Sequence, residues 1–490
     1  MGYKHGAYGE ITDSRVTNAT QADVVAAYIG TAPINLIRGY ADANLINMPI
    51  KVANMSDAQS KLGYSDNWKD FTLCEAFAEH YDNTVGNVGP IYVVNVLDPD
   101  THKAAEKTTK ELSFSNKRAE FESSDIILDT FAIADKVEGV DYSLEYNFAK
   151  GSVIVKLLGD TASETVQCSY NTVDASAVEA ADIIGQTTED GEYMGLHAMK
   201  LIYQHHNAVL NMLAAPGWSQ IPAVYQAMVS IVQKLNGHWD GFVNADIPLE
   251  DAEGKAIDTI EKAIAWKAAN GYTSEFSKVY WPKIKDGSGR VFHLSTAGQA
   301  TMQRVDLSHD AVPFESPSNK EIMATCQYFG EGSKNKGFDQ QTGNGLNEKG
   351  ITTAVFWAGQ WVLWGPHTAA FVHGGDTDGR AIFDVNIRML MHITNSFQLD
   401  HGTKIDNPMT PQDTDAILNA EREKLDTLTG IGALIGTPTV EFVESANPTS
   451  DMMNGDFVWD FSATPTPPFK SGTARVCYTD EGFAAFFGTE

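Results

Sequence analysis

Cysteine is scarce in this chain of 490 residues. There are four, Cys74, Cys168, Cys326 and Cys477, far apart and without a CxxC pair. That spacing argues against a disulfide scaffold or a thiolate metal knuckle and leaves reduced, partly buried thiols as the ordinary reading. No apolar run nears the ~20 residues of a membrane span. No apolar core follows Lys4 and His5, so the opening does not read as a signal peptide, and the Asn18 and Asn54 sequons carry no weight without a secretion route. Cations are also short: 35 Lys and Arg stand against 64 Asp and Glu, a net charge of −29. Binding nucleic acid through its phosphates needs clustered Lys and Arg, so that class is excluded.

Catalytic signatures are missing as well. There is no GxxxxGK[ST] loop, no strand–GxGxxG–helix fingerprint and no GxSxG elbow. Gly343-Asn344-Gly345 lies in a polar stretch that reads as a loop. Pro216-Gly217-Trp218-Ser219 lacks the second glycine of a nucleophile elbow. His205-His206 is not HExxH, and adjacent side chains diverge on a helix. Asp376-Thr377-Asp378-Gly379 reads as a turn, because its glycine stands fourth rather than sixth and no glutamate falls twelfth. Ser219, His238 and Asp246 are the residue types of a serine triad, but no local geometry signal accompanies them. No cofactor and no metal site is expected.

What is present is the composition of a well-packed protein: 43% hydrophobic and 10% aromatic residues, long enough for two to four domains. Val24 to Gly30 is an apolar run of buried-strand length, and Pro90 to Leu97, Val209 to Ala215 and Gly241 to Asp246 read as further strands. Helical patterns alternate with them: a short one to Leu62 capped by Ser56 and Asp57, then Phe71 to Tyr81, Tyr193 to His206, Val224 to Leu235 after Pro222, and Ile257 to Asn270. Such alternation predicts a largely parallel sheet with helices on both faces. Between about Lys110 and Asp174 the texture changes to period-two alternation, with Tyr142, Leu144 and Tyr146 on one face, which predicts an inserted antiparallel domain. Glu120 to Glu192 holds sixteen acids and three lysines, nearly half the excess charge, and reads as a solvated outer surface. Near Phe383 a third region begins, with a helix over Ile387 to Phe397. Another starts at the cap Thr410-Pro411-Gln412-Asp413 and stops at Gly430. Trp357, Trp361 and Trp364 read as core. Phe483, Phe486 and Phe487, at helical spacing after Asp480, read as packing residues.

Both ends look like strands held away from the body. Tyr3 to Thr12 precedes the polar run Asp13 to Asp23. Phe457 to Phe461 precedes Thr464-Pro465-Thr466-Pro467-Pro468, and Thr473 to Tyr478 is a further strand candidate. Unpaired terminal strands are satisfied by another sheet, including one on another subunit. That points to an assembly protein.

Several blocks, in order along the chain, resemble contractile tail sheath proteins of phages and related particles. They are Tyr3-Lys4-His5-Gly6-Ala7-Tyr8, Ala27 to Pro33 ending in Gly-Thr-Ala-Pro, Leu213-Ala214-Ala215-Pro216-Gly217, Tyr280-Trp281-Pro282 with Ser295 to Asp306, Leu346 to Ile351, Leu363 to Thr368, and Leu428 to Gly436. His367 stands where the family has arginine, and the Ser295 stretch lacks the usual proline and glycine pattern.

The resemblance implies an α/β core of subtilisin-like topology without a catalytic triad, an inserted antiparallel β domain, and an α+β C-terminal domain carrying terminal strand arms. Mapped onto this chain, it implies an N-terminal arm (residues 1–21), a core in two parts (22–97 and 193–378) around an acidic outer insertion (98–192), an inner domain (379–455), and a C-terminal arm with an end helix (456–490). It implies stacked hexameric rings around an inner tube, contracting to drive that tube through a cell envelope. The expected partners are neighbouring sheath subunits, the tube, the baseplate and a tail terminator, with no nucleic acid and no membrane insertion. The expected place is a virion tail or tail-like particle assembled in the host bacterial cytoplasm. Linking strands are expected at Ala7, Tyr8, Gly9, Glu10 and Ile11, and at Val458, Trp459, Phe461, Thr473, Arg475, Val476, Cys477 and Tyr478. Hinges are expected in Asp13 to Asp23 and in Ser462 to Gly472, the second stiffened by Pro465, Pro467 and Pro468. Two other readings are an α/β serine hydrolase and an adhesin that binds its receptor through the β insertion.

Overall fold

The computed structural model describes residues 24–160, 163–332 and 336–488. The N-terminal arm, Ala7 to Ile11, lies outside the described residues.

An eight-stranded sheet forms the body, in the order Gln360–Trp364, Ile351–Trp357, Ser277–Tyr280, Phe242–Asp246, Leu210–Ala214, Val25–Gly30, Ile91–Asn95 and Pro49–Val52. The six inner strands are parallel, and an antiparallel strand closes each edge. Val25–Gly30 is buried at every residue because helices cover both faces, which is why its sequence is a continuous apolar run. The Gln360–Trp364 edge is covered by residues 319–322: Leu363 N donates to Lys320 O and Asn319 N to Leu363 O. A sheet edge so covered cannot template pairing with another chain.

Packed on this sheet is the helix Leu294–Leu307, twelve of whose fourteen residues are buried, many of them polar. Gln299 Nε2 donates to Ala27 O (2.8 Å), and Gln303 Nε2 donates to Val24 O and Pro90 O (2.8 and 2.7 Å). These amide donors satisfy carbonyls in and at the start of the strands, so the burial of the donors is compensated. The helix approaches closely because residue 298 is glycine; a Cβ there would meet the Tyr280 ring at 2.5 Å.

Several elements differ from expectation. The first short helix, Met55–Leu62, is capped by Asn54, whose side chain accepts from Asp57 N (2.9 Å), while Asp57 accepts from Ala53 N. The Tyr193–His206 pattern is a 3-10 helix, Gly195–Lys200, followed by an α-helix, Leu201–His206. Gln340–Asn347 is an α-helix rather than a loop. Asp339 caps it at Thr342 N, and Asn344 accepts from the Trp364 indole (2.8 Å). Tertiary contacts there override the poor helix propensity of Gly and Asn. Trp357 and Phe356 are 46% and 57% exposed, not core. They sit at a hairpin tip, turned at Ala358 and Gly359 (φ 50° and 90°), that projects beyond its neighbours.

Between residues 108 and 170 lie two three-stranded antiparallel sheets, around Leu112, Phe121, Phe131, Tyr142, Val153 and Tyr170. The body holds them through Leu36 in the same core and through Asn35 Nδ2, which donates to Ser124 O and Ile126 O (3.1 and 2.9 Å). Val173, Val178 and Ile183 pack into the main core instead, so the separate layer ends near residue 172.

The C-terminal part contains two long helices, Asp384–His401 and Pro411–Gly430, and a hairpin, Leu434–Glu441 with Asp460–Pro465. The second helix starts at a capping box between Thr410 and Asp413. Met389, Ile393, Leu425, Leu428, Leu434 and Val440 form its core.

Candidate assembly surface

The end of the parallel sheet, where an α/β enzyme would place its chemistry, is filled. Asp246 closes its strand and accepts from Ser295 N (3.0 Å), from Ser295 Oγ (2.5 Å) and from Ser219 Oγ (3.3 Å). Glu75 accepts from His293 N, contacts His293 Nδ1 at 2.7 Å and accepts from Thr296 Oγ1. Both carboxylates therefore meet the orphan donors at the start of the Leu294–Leu307 helix. Burial pushes the Asp246 carboxyl above its usual range. Burial acts the same way on Glu75, but the charge and hydrogen bonds of His293 outweigh it and hold that carboxyl below its usual value. His238 is exposed and lies against Trp239. Ser219 and Asp246 thus come together without the histidine, as packing and capping groups. Among the described residues no group of three or more His, Cys, Asp and Glu is placed to hold a metal.

Two buried ion pairs tie the body to the C-terminal part. Lys278 Nζ donates to Asp384 Oδ2 (2.6 Å), with side chains 1% and 0% exposed. One turn later Arg388 pairs with Asp306 of the body helix. Lys278 lies in a central strand and Asp384 opens the Asp384–His401 helix, so the pair pins that helix to the sheet.

The hairpin is the most open element. It is a two-stranded sheet, and neither outer edge carries a ladder among the described residues. Phe461 lies in its second strand. Val458 is tied to its own subunit, since its N donates to Asn447 Oδ1 and its O accepts from Asn447 Nδ2. Trp459 packs against Phe397 and Phe442. Pro465 is not in a free spacer; it pairs opposite Leu434, and Thr466 N donates to Ala433 O. The chain leaves the domain only after Thr466, which keeps Pro467 and Pro468 in the exit.

Beyond that point no described residue pairs with the backbone as a strand. Thr473, Arg475, Val476, Cys477 and Tyr478 are exposed and in no strand, Val476 by 93% and Tyr478 by 80%. A β-strand exists only with a ladder partner, and this segment has none among the described residues. Phe483, Phe486 and Phe487 are not packed either; they lie exposed on a short 3-10 helix, Glu481–Phe487. The sequence alternation predicts a strand over Thr473 to Tyr478, where the structure has none, because a strand pattern does not say whether a partner lies alongside. The buried ion pairs were missed altogether, since charged residues far apart in sequence give no signal of their pairing.

No family model matches the chain. It is similar along nearly its whole length to the tail sheath protein of Burkholderia phage BcepMu, 25% identical over 98% of this chain and 97% of the relative. It is also similar to the tail sheath protein of Escherichia phage P2, 24% identical over 63% of this chain and 73% of the relative. The major tail sheath protein of Serratia phage KSP20 is 22% identical over 68% and 81%. The fold is shared with a chain of the anti-feeding prophage baseplate, at TM-score 0.56, 13% identity and coverage of 98% and 100%. A chain of the contracted PVC sheath complex of an extracellular contractile injection system aligns at TM-score 0.53, 11% identity and the same coverage. The filled sheet end, the full-length sequence relation and the shared fold agree. Along nearly its whole length the chain is similar to contractile tail sheath proteins, which supports a structural subunit of a contractile sheath.

Proposed function

We propose that the chain polymerises with copies of itself as stacked hexameric rings around an inner tube and is held in the polymer by strands exchanged between copies. The observation that carries this reading is the pairing of two unsatisfied features in one chain. The hairpin has open edges among the described residues, and Thr473 to Tyr478 are exposed and pair with none of them as a strand. A strand from one copy added to the hairpin of the next would satisfy both, through main-chain hydrogen bonds that depend little on side-chain identity. Residues 7–11 of another copy are the second proposed strand.

In this reading Pro467 and Pro468 are the stiff exit from the inner domain, and the following residues absorb the change of direction when bodies rotate. The body and inner domain, pinned by Lys278–Asp384 and Arg388–Asp306, move as one piece. Each subunit passes from a less to a more stable packing, and the sum drives the tube through a target envelope. The domain division, the subtilisin-like topology of the parallel core and an outward-facing acidic insertion belong to the same proposal. So do contacts with a tube, a baseplate and a tail terminator, and assembly in a host bacterial cytoplasm. Support for baseplate and sheath contacts comes from the two structures that share the fold, one of a baseplate and one of a sheath complex.

The test is negative-stain imaging of the purified full chain beside a chain lacking residues 473–490. The intact chain is expected to form rings or hollow polymers, and the shortened chain to stay dispersed. Normal polymers from the shortened chain would refute the strand exchange.

A further inference from the structure

The end of the tail has a second unsatisfied feature. Phe483, Phe486 and Phe487 are 56%, 82% and 88% exposed on one short turn. Phe483 and Phe486 stack with centroids 6.1 Å apart, so they already form one apolar face. Three rings in water at the end of an unpaired segment mark an interaction site, since a monomer gains nothing by displaying them.

The inner domain offers the counterpart. A groove of about 480 Å³ runs between its two long helices, lined by Ile393, Ala420, Leu425 and Leu428, with His392 and Lys424 among the polar residues. That volume lies in the range that takes a drug-sized aromatic group. None of its lining residues comes from the chain's own tail, which instead runs past Trp364, His367 and Phe371 on the body. The groove is continuous with the hairpin: Ile393, Leu425 and Leu428 share one core with Leu434 and Val440.

We propose that the Phe483, Phe486 and Phe487 cluster of one copy docks in the inner-domain groove of a second copy, next to the hairpin that receives the tail strand. This rests on the strand-exchange reading above. The reach is sufficient. Phe483 lies five positions beyond Tyr478, a span of up to about 17 Å, whereas packed layers lie about 10 Å apart. A strand added to the hairpin edge therefore brings the rings onto the helices packed beneath it. The strand supplies pairing that tolerates any sequence; the rings supply a plug that only this groove accepts. Together they fix the register of a strand whose own alternation is short.

The experiment uses the full chain and measures the critical concentration for polymerisation by sedimentation. Replacing all three rings (Phe483→Ser, Phe486→Ser, Phe487→Ser), or ending the chain after Asp480, is expected to raise it by about tenfold for each ring lost from the groove. The triple Leu variant should return it to within a few-fold of the parent. A photoreactive phenylalanine analogue at position 486 should cross-link to a peptide within residues 392–428 of another chain. Unchanged polymerisation after truncation at Asp480, or a photoproduct on any other surface or protein, would overturn the docking. Truncation after Gly472 separates the two ideas. If only that longer deletion impairs assembly, strand exchange stands and the groove proposal falls; if neither impairs it, both fall.

Discussion

Removing one partner of the Lys278–Asp384 pair tests whether the body and the C-terminal part are held as one piece. Both side chains are essentially inaccessible, and the contact is 2.6 Å. Asp384 also accepts from Val385 N (2.8 Å), and Lys278 lies 3.4 Å from His367 O, so the remaining polar capacity is partly met inside the protein. Replacing one partner leaves a buried charge without its counterion, which costs about 3–5 kcal/mol. In Lys278→Met the orphan is the buried Asp384 carboxylate. In Asp384→Asn the orphan is Lys278, whose pKa burial already lowers in the intact protein, opposed by the charge of Asp384. The folded state then releases a proton that the unfolded chain keeps, so this loss shrinks as pH rises. That slope is the expected signature of Asp384→Asn. Lys278→Met with Asp384→Leu, which removes both charges, should recover most of the stability. The assay is urea unfolding, followed by tryptophan fluorescence below the polymerising concentration, between pH 5 and 9. Single variants that cost under about 1 kcal/mol, or an Asp384→Asn loss that grows as pH rises, would refute the reasoning.

Three further outcomes are expected. Burial pushes the Glu79 carboxyl up to about 8; its protonated form stabilises the fold fully below the ordinary carboxylate range, and that contribution fades as pH rises through 8. Glu79→Gln should flatten this decline in a urea titration at several pH values. Gly298→Ala places a methyl 2.5 Å from the Tyr280 ring and should cost about 1–3 kcal/mol by forcing helix and sheet apart, read as a lower urea midpoint. Excising residues 104–172 with a short turn should leave a folded, polymerising chain, because Lys103 and Val173 are bridged. Electron microscopy of that variant should show polymers; their loss would place the insertion in the subunit contacts.

Much of the body was legible in the sequence. Val24 to Gly30 is apolar throughout because a strand covered on both faces has no side for water. Thr410-Pro411-Gln412-Asp413 announces a helix start through local hydrogen bonding alone, and the alternation from Lys110 to Asp174 marks sheets with one wet face. The failures share a cause. Leu294–Leu307 is buried although Ser295, Gln299 and Gln303 are polar, because its amides meet strand carbonyls that the sequence does not show beside them. Gln340–Asn347 is helical because Trp364 and Asp339 reward it.

Local pattern, then, determined most of the body's strands and helices, that the chain carries no catalytic motif, and that Thr473 to Tyr478 alternates as a strand would. Only the tertiary structure decided which of those segments are satisfied within one subunit. Phe461 and Pro465 look as free as Val476 and Tyr478 in sequence, yet the first two are paired or packed in their own hairpin and the last two are exposed. A strand's propensity is a property of its residues, whereas its hydrogen bonds belong to whatever backbone lies alongside, and that neighbour is set by the folded chain.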